Sequence, residues 1–327
     1  ENEGTAETYP IITLTAKEPT TFAMVSNGDE YMMVGRPYDI ENEQPFQKYQ
    51  RIFSDNATSL VGWTDGTSVD GGIVAGQMQA ANGRFEAVSY GTGTRWHGPA
   101  IKTSIPEIVE NFRFQTFVTL YNKNNPAYVG RVEVYLLDVN GNTVAKLAVK
   151  DTHTQQALNG VEIRVGDNQN YHHLINEYGD RPGNWNDFYG ILRIEKDGNE
   201  WYAYVAMTEV GTGRHHTRRS VRWVDTENKF TRQVAQVQVH VGQYGNNPVP
   251  SGGVYSMFLD KINHEQDGIP YIADEGDVIE FNHKTGDCYI NGEPVQFDFG
   301  ADFFALKKGI NELAVMPENT FVMSIKY

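Results

Sequence analysis

The sequence predicts an all-β fold built from β-sandwich parts, and three observations support this prediction. Short segments rich in Val, Ile, Tyr, Phe and Thr recur from end to end, as in "RVEVYLLDV" and "EWYAYVAMTEV". Turn sequences such as "DVNGNT", "EKDGNEW" and "KTGD" separate neighbouring segments. Helical periodicity is almost absent, and only "IPEIVENF" and "DTHTQQAL" suggest a helical turn or two. Strands at this spacing are typical of sandwiches and jelly rolls.

Composition excludes several classes of function. The 327 residues carry a formal net charge of −15, from 27 Lys and Arg against 42 Asp and Glu, which opposes binding to nucleic acid. No segment approaches the ~18 consecutive apolar residues of a membrane helix, so we expect no membrane partner. The start "ENEGTAETYP" resembles no signal peptide and lacks Met, which suggests an excised or processed chain. The single cysteine, Cys288, excludes an intrachain disulfide and fits a half-buried strand position.

The pattern of strands predicts one domain interrupted by another. Residues 1–45 contain two convincing strands, which are too few for a stable domain because a lone hairpin buries little apolar surface. Residues 265–327 are also short for an independent domain. Together these two segments would make a complete sandwich, and the strand-rich residues 46–264 would form an inserted domain. Insertions are tolerated where a host loop brings the chain ends together at the surface.

Residues near both ends carry a family resemblance. The opening "YPIITLTAKEPTTFAMVSNGDEYMMVG" and the ending "GDVIEFNHKTGDCYINGEPVQFDFGADFFALKKGINELAV" resemble the galectin-like C-terminal domain of distal tail proteins from siphophages of Gram-positive bacteria. The residues that carry the resemblance in the ending are Gly276, Asp277, Thr285, Gly286, Asn291, Gly292, Asp302, Phe303, Phe304, Leu306, Gly309 and Asn311.

The resemblance implies a virion protein of the tail tip or baseplate. Residues 46–264 are similar to the carbohydrate-binding insertions of the long, evolved members of this family, and "FYGILRIEKDGNEWYAYVA" resembles part of a concanavalin-like jelly roll. The implied partners are a bacterial cell-wall polysaccharide and other baseplate proteins. The family's ring-forming N-terminal domain would precede Glu1, so we expect this chain to be monomeric and the full-length protein to be hexameric.

Aromatic residues beside polar side chains are candidates for sugar binding, because sugar rings stack on Trp and Tyr while their hydroxyls bind amides, carboxylates and Arg. The loop "EYGDRPGNWNDFYG" contains Trp185 where nothing local requires a large apolar ring. Its candidate hydrogen-bonding neighbours are Arg181, Asn184, Asn186 and Asp187.

Further candidates lie in strands. Trp96, in "GTRWHGPA", fits either a core position or a binding site. Along "EWYAYVAM", Trp201, Ala203 and Val205 share one face and Tyr202 and Tyr204 share the other. One face should belong to the core, and the other should contact either the second sheet or a ligand groove.

Motifs for metal binding and for charged ligands are weaker indications of function than the aromatic candidates. Asp55, Asp65 and Asp70 offer oxygen ligands for calcium, but their spacing fits no EF-hand loop, so no cofactor is expected beyond a possible calcium ion at Asp65 and Asp70. Adjacent histidines, at 172 and 173 and at 215 and 216, point to opposite strand faces and are poorly placed to share one ion. The cationic "GTGRHHTRRSVRW" fits a solvated hairpin or a contact with anionic wall polymers.

Three functional hypotheses remain, and binding is favoured. No nucleophile elbow, zinc-protease motif or phosphate loop is present, so the protein is predicted not to be an enzyme. A glycan-cleaving jelly roll would need two carboxylates ~5–9.5 Å apart, for which Glu195, Glu200 and Glu209 are candidates, but solvated polar positions are the favoured interpretation of all three. A structural spacer or docking domain would need neither aromatic nor acidic site residues. We therefore expect non-covalent binding of host wall carbohydrate during adsorption.

Overall fold

A computed structural model describes residues 2–179 and 183–326 of the chain. It divides into two compact units. Unit 1 comprises residues 1–48, 209–215 and 263–327, and unit 2 comprises residues 49–208 and 216–262. Residues 209–215, which the sequence analysis placed in the insertion, thus belong to unit 1. The identities assigned to the two parts from the sequence remain predictions.

The described residues form 27 β-strands. The first nine are β1 (Ile11–Ala16), β2 (Phe22–Ser26), β3 (Tyr31–Gly35), β4 (Gln44–Phe46), β5 (Tyr49–Asp55), β6 (Thr64–Asp65), β7 (Gly72–Val74), β8 (Gln77–Ala81) and β9 (Arg84–Ser89). The next nine are β10 (Trp96–Gly98), β11 (Ala100–Val109), β12 (Phe112–Tyr121), β13 (Gly130–Leu137), β14 (Thr143–Asp151), β15 (Asn159–Gly166), β16 (Tyr171–Glu177), β17 (Phe188–Asp197) and β18 (Glu200–Thr208). The last nine are β19 (His215–Val224), β20 (Val234–Tyr244), β21 (Ser251–Ile262), β22 (Gly268–Pro270), β23 (Val278–Asn282), β24 (Asp287–Ile290), β25 (Glu293–Val295), β26 (Ala314–Met316) and β27 (Phe321–Lys326).

The all-β prediction is confirmed, and the two suggested helical turns are wrong. Residues 105–109 complete β11, which pairs with β20 through a register shift between Ser104 and Val109. Pro106 lies in that irregular stretch, where its missing N–H costs no ladder hydrogen bond. The other segment follows β14 as turns and loop. Among the described residues, no helix is long and apolar enough to cross a membrane.

Unit 2 is a sandwich of two large sheets. The nine-stranded sheet has the order β16-β15-β14-β13-β20-β10-β7, with β11 also pairing β20 and β6 pairing β11. The eight-stranded sheet has the order β19-β18-β17-β12-β21-β9-β8, with β5 also pairing β21. Neighbours such as β13 and β20 are distant in sequence, so the order of strands in space differs from their order along the chain.

A single apolar core fills the space between these sheets. Val132 and Val134 of β13 and Val239 of β20 project into it from one sheet, and Phe114 and Trp201 project from the other. Alternation along each strand places these residues on the inner face and sends their neighbours outward.

Unit 1 contains a five-stranded sheet of order β25-β24-β23-β1-β27 and a three-stranded sheet of order β26-β2-β3. A short parallel pair joins β4 and β22. Alternating residues of β1, β2 and β23 build a second core, which includes Leu14, Val25 and Phe281. The N-terminal and C-terminal parts of the chain therefore contribute jointly to one core, since β1 lies between β23 and β27.

The motif residues of the C-terminal segment hold the turns of unit 1. The Asn291 side chain accepts a hydrogen bond from Val278 N and donates one to Asp277 Oδ1, at 3.0 and 2.8 Å. Gly292 has a φ of +81°, and a Cβ there would lie 2.2 Å from the carbonyl oxygen of Gly213. Phe304 is buried in the core of the unit. These residues therefore stabilise the turns and the core of unit 1.

The cysteine offers a direct test of this packing. Cys288 is buried, and burial first, with the carboxylates of Asp287 and Glu280 second, raises the pKa of its thiol to about 12. Because the thiolate is the reactive form, we expect Ellman's reagent to label no thiol in the native protein within an hour and one thiol in denaturant. Rapid native labelling would contradict the burial of Cys288.

Candidate functional site

The outer face of the nine-stranded sheet carries charged side chains in place of apolar ones. On β13, Arg131, Glu133 and Tyr135 point outward between residues that point into the core. We call this surface the charged face, and its members are Asp70, Arg131, Glu133, Tyr135, Lys146, Lys150, Glu162, Arg164, His173, Gln238 and His240.

Lys146 lies at the centre of the charged face. Its Nζ is 3.3 Å from Glu133 Oε1, 3.0 Å from Glu162 Oε1 and 3.2 Å from Asp70 Oδ2. Only 5% of the Lys146 side chain is exposed. Buried charges are tolerated only when paired in this way, so the three carboxylates and the ammonium form one interdependent cluster.

The segment around Asp70 is held over one end of this cluster. Arg164 Nη2 lies 2.8 Å from Asp70 Oδ2, and Arg131 Nη2 donates to the Asp70 carbonyl oxygen at 2.9 Å. The Tyr135 hydroxyl accepts from Asp70 N at 3.1 Å and donates to Glu133 Oε2 at 2.7 Å. These contacts fix the segment, so the cluster is preorganised at this end.

The electrostatics keep both central carboxyls ionised. Burial alone would raise the pKa of Glu133, but Arg131 and Lys146 outweigh burial and lower that pKa to about 2. Burial would likewise raise the pKa of Glu162, but its contact with His173 and the charge of Lys146 hold it far below its usual range. A glycosidase acid must remain protonated near its working pH, which requires a raised pKa. The Glu133 and Glu162 pair therefore lacks the protonation states of a hydrolytic pair.

His240, the fully buried histidine of the charged face, is neutral. Burial, the largest effect, lowers the pKa of His240 to about 4 despite the nearby Glu133 carboxylate. Its Nδ1 lies 3.0 Å from the Pro99 carbonyl oxygen. His240 thus contributes hydrogen-bonding capacity without charge at neutral pH.

Two aromatic side chains form a rim beside the segment that contains Asp70, since Trp96 pairs with Gly72. Trp96 of β10 pairs in register with Tyr244 of β20, and their rings meet edge to face with centroids 5.2 Å apart. The Arg131 guanidinium lies 4.6 Å from the Trp96 ring centroid, which places the indole on the charged face. Trp96 is half-buried, Tyr244 is 37% exposed, and the Lys150 side chain is 21% exposed. Part of the charged face is therefore exposed to solvent at this rim.

The loop around Trp185 differs from its prediction. Trp185 is only 2% exposed and belongs to the core of unit 2, where its ring contacts Phe188. Its backbone oxygen accepts a hydrogen bond from Asn159 Nδ2 at 3.0 Å, which anchors the loop inward. A buried indole has no free ring face, so we correct the prediction and no longer regard Trp185 as a sugar-stacking residue.

The polar neighbours of Trp185 form hydrogen bonds that hold this loop in place. The side chain of Asn186 accepts from Asn122 Nδ2 and Asn159 N and donates to the Ala157 carbonyl oxygen. Asp187 adopts a φ of +51°, and its Oδ1 accepts a hydrogen bond from the backbone N–H of Lys123 in the loop that follows β12. Asn184 is half-buried beside them. Arg181 lies outside the described residues.

Tyr202 and Tyr204 lie on the outer face of the other sheet. Tyr204 is buried against Ile191 and Ala206, and Tyr202 packs beside this small cluster. The guanidinium of Arg222 lies 5.0 Å from the Tyr202 ring. Since these tyrosines and Trp96 belong to different sheets, the structure does not bring the predicted aromatic residues into one site.

The three aspartates proposed for calcium are separated by their contacts. Asp55 accepts from Ala57 N and from Trp63 Nε1, so it caps a local turn. Asp65 is exposed on the edge strand β6, and Asp70 faces cations. Within residues 2–179 and 183–326, no group of three or more His, Cys, Asp or Glu side chains could hold a metal ion.

The other predicted acids and histidines are also dispersed. Glu195 accepts from the Tyr49 hydroxyl, Glu200 lies at a hairpin, and Glu209 accepts from Thr212 in a turn of unit 1. His173 faces Glu162, whereas His172 stacks on Trp223 on the other side of β16, as alternation predicts. His216 lies elsewhere, on the exposed strand β19.

Sequence analysis missed the charged face. Its signal was pairs of charged residues two positions apart within otherwise apolar strands, namely Arg131 and Glu133 in "RVEVYLL" and Glu162 and Arg164 in "GVEIRVG". Such a residue must be paired when it is buried. The partners could not be chosen from the sequence because they lie on strands that are neighbours only in the folded sheet.

Comparison with known proteins identifies a solved module with a similar fold. No protein-family profile matches the chain, and a search of curated proteins found no significant match. The CBM2 module of the evolved Dit, or distal tail protein, of Lactobacillus casei BL23 phage J-1 aligns with a TM-score of 0.55 at 20% identity. The alignment covers 67% of this chain and 99% of that module. The shared property is the fold. At the level of fold, this alignment confirms the resemblance to the carbohydrate-binding insertions of evolved distal tail proteins, whereas the galectin-like resemblance of residues 1–45 and 265–327 remains a prediction.

Other solved structures are more distant. The legume lectin-like domain from Entamoeba histolytica aligns over 62% of this chain and 92% of that domain, with 10% identity and a TM-score of 0.38. The VIP36 exoplasmic/lumenal domain in its Ca²⁺/Man2-bound form aligns over 67% of this chain and 91% of that domain, with 7% identity and a TM-score of 0.43.

Proposed function

We propose that this chain is part of a phage distal tail protein and that unit 2 binds host cell-wall carbohydrate without cleaving it. The observation that carries the proposal is the rim of the charged face, where Trp96 and Tyr244 lie beside Arg131. Sugars are bound by such combinations of aromatic rings and fixed, planar hydrogen-bonding groups. The fold of unit 2, like that of the phage module above, is compatible with this role.

The ionisation of the charged face favours binding over hydrolysis. Both central carboxylates are ionised and paired with cations, so neither offers the proton that glycosidic cleavage requires. Their rigid pairing instead fixes Arg131 and Lys150 in place at the rim. Fixed polar groups lower the entropic cost of binding.

The assignment of the two parts of the chain belongs to the same proposal. Unit 1 would be the galectin-like domain of the tail protein, and unit 2 would be the inserted binding domain. The full-length protein would present several copies around a six-fold baseplate, so weak individual sites would gain avidity. Adsorption to the host wall would follow from this multivalent contact.

The test is retention of the fluorescently labelled chain on purified cell walls from Gram-positive bacteria. We expect wild-type retention, and a double variant Trp96→Ala with Tyr244→Ala should lose binding by about 10-fold or more, since two stacking contacts are removed. Tyr38→Ala is the matched control. The exposed fraction of Tyr38, 39%, is similar to the 37% of Tyr244, and Tyr38 belongs to unit 1.

Each outcome has a defined meaning. Wall retention that survives the double variant would move the site away from the rim. Failure of the wild-type chain to bind any wall, even as a multimerised fusion, would refute carbohydrate binding and favour a spacer role.

A further inference from the structure

A cavity opens at one edge of unit 2. It has a volume of about 300 Å³ and is lined where β16 begins and where β19 ends and turns into residues 225–230. We call it the edge pocket. Its volume is at the lower end of the ~300–1,000 Å³ range of small-molecule sites, which suits one or two sugar rings.

Aromatic rings build one wall of the edge pocket. His172 and Trp223 stack with ring centroids 4.0 Å apart and planes inclined by 14°. Phe230 meets Trp223 edge to face at 5.9 Å. Gly166 leaves room for Phe230, since a Cβ at that position would lie 2.6 Å from the Phe230 ring. The wall is therefore continuous and closely packed.

Both turns that border the edge pocket are fixed by their own hydrogen bonds. Asp225 is buried, and its Oδ2 accepts from Phe230 N at 2.8 Å. On the other side, Asp167 Oδ1 accepts from Asn170 N at 2.9 Å, and Asp167 Oδ2 pairs with Arg232 at 2.9 Å. The pocket is thus preformed, which reduces the ordering cost of binding.

The edge pocket is polar, and the two exposed charges of its lining neutralise each other. Glu227 and Lys229 form an ion pair at 2.6 Å, whereas the Asp225 carboxylate is buried. Burial, and secondarily the neighbouring His173, lowers the pKa of His172, so this imidazole is neutral near pH 7. Among the described residues the His172 ring has ring-stacking contacts and no hydrogen-bond partner. A neutral imidazole offers one donor and one acceptor, which matches a sugar hydroxyl.

We propose that the edge pocket is a second saccharide subsite that accepts an uncharged sugar residue of the wall polysaccharide. Stacked rings would contact the C–H face of the sugar, and His172 would exchange hydrogen bonds with its hydroxyls. A charged sugar has no counter-ion here, because Glu227 and Lys229 already neutralise each other and Asp225 is engaged by the turn. This inference rests on the proposed carbohydrate binding and adds a second point of attachment on the same unit.

The experiment measures binding of the full chain to the purified wall polysaccharide that retains the wild-type protein. Two variants act on the edge pocket: His172→Ala removes the hydrogen-bonding ring, and Thr226→Trp fills the cavity from an exposed position on its lining. Thr58→Trp is the matched control at an exposed threonine outside the pocket. We expect each pocket variant to weaken binding roughly 10-fold and the control to bind as the wild type.

The outcomes separate this inference from the proposed function. If both pocket variants bind as the wild type while the Trp96 and Tyr244 double variant loses binding, the edge pocket is refuted and the rim stands. If the pocket variants lose binding and an uncharged monosaccharide from the polysaccharide competes with the wild type, the subsite is supported. If no wall polysaccharide binds the wild type, both proposals fail.

Discussion

Replacing Lys146 by methionine is expected to lower the free energy of unfolding of unit 2 by about 3–5 kcal/mol. Methionine preserves much of the side-chain length but removes the ammonium that contacts Asp70, Glu133 and Glu162. The three carboxylates would then lose one of the positive charges that balance their negative charge. Removal of one partner from a buried cluster is strongly destabilising because the remaining charges stay desolvated.

Lys150→Met is the matched control on the same strand. Lys150 pairs with Glu162 alone, and its side chain is more exposed, so its replacement should cost only about 1 kcal/mol. Urea denaturation followed by tryptophan fluorescence measures both effects. A Lys146→Met variant as stable as Lys150→Met would show that the other cations of the charged face compensate for the missing ammonium.

The strand pattern could be predicted from sequence because it depends on local alternation. Along β18, Trp201, Ala203 and Val205 are buried in the core of unit 2 as their period of two requires. The ending motif was recognisable for a related reason: Asn291 and Gly292 both adopt a positive φ, at +50° and +81°, and this local backbone requirement selects Asn and Gly at a hairpin turn. Local rules therefore account for most of the fold.

The charged face could not be predicted because its contacts connect distant parts of the sequence. Glu133 lies opposite His240 in the sheet, and Lys146 reaches Asp70 in a segment that crosses the face. Each charge, taken alone, was equally compatible with a solvated strand position. Only the order β14-β13-β20 makes them neighbours.

Trp185 shows the opposite error, in which local composition was misleading. A loop of Gly, Pro, Asn and Asp usually lies at the surface, so its Trp was expected to face solvent. Asn159, buried on β15, donates to the backbone of Leu120 and Trp185 and draws the loop against the core. Such a buried polar anchor on another strand has no signature within the loop itself.

Acidification is expected to destabilise unit 2 in two steps. The pKa of His240 is about 4 in the folded protein, below its ordinary value of 6.5, so the unfolded chain binds this proton more readily. The stability that neutral His240 contributes is complete above pH 6.5 and is lost as pH falls toward 4, by about 3 kcal/mol. Glu133, whose pKa falls from 4.5 to about 2, gives a second loss as pH drops from 4.5 to 2.

His240→Asn tests the first step, because an amide can replace the hydrogen bond to the Pro99 carbonyl oxygen without titrating. Urea denaturation at intervals from pH 7.5 to 4 should show a shallower decline for this variant than for the wild type. His216→Asn is the control, since His216 is exposed and should leave the slope unchanged. His283 of unit 1 has a similarly low pKa, about 4, because of burial, so its contribution should persist in both variants. Equal slopes in the wild type and His240→Asn would assign the acid sensitivity to other groups and would contradict the neutral, buried state of His240.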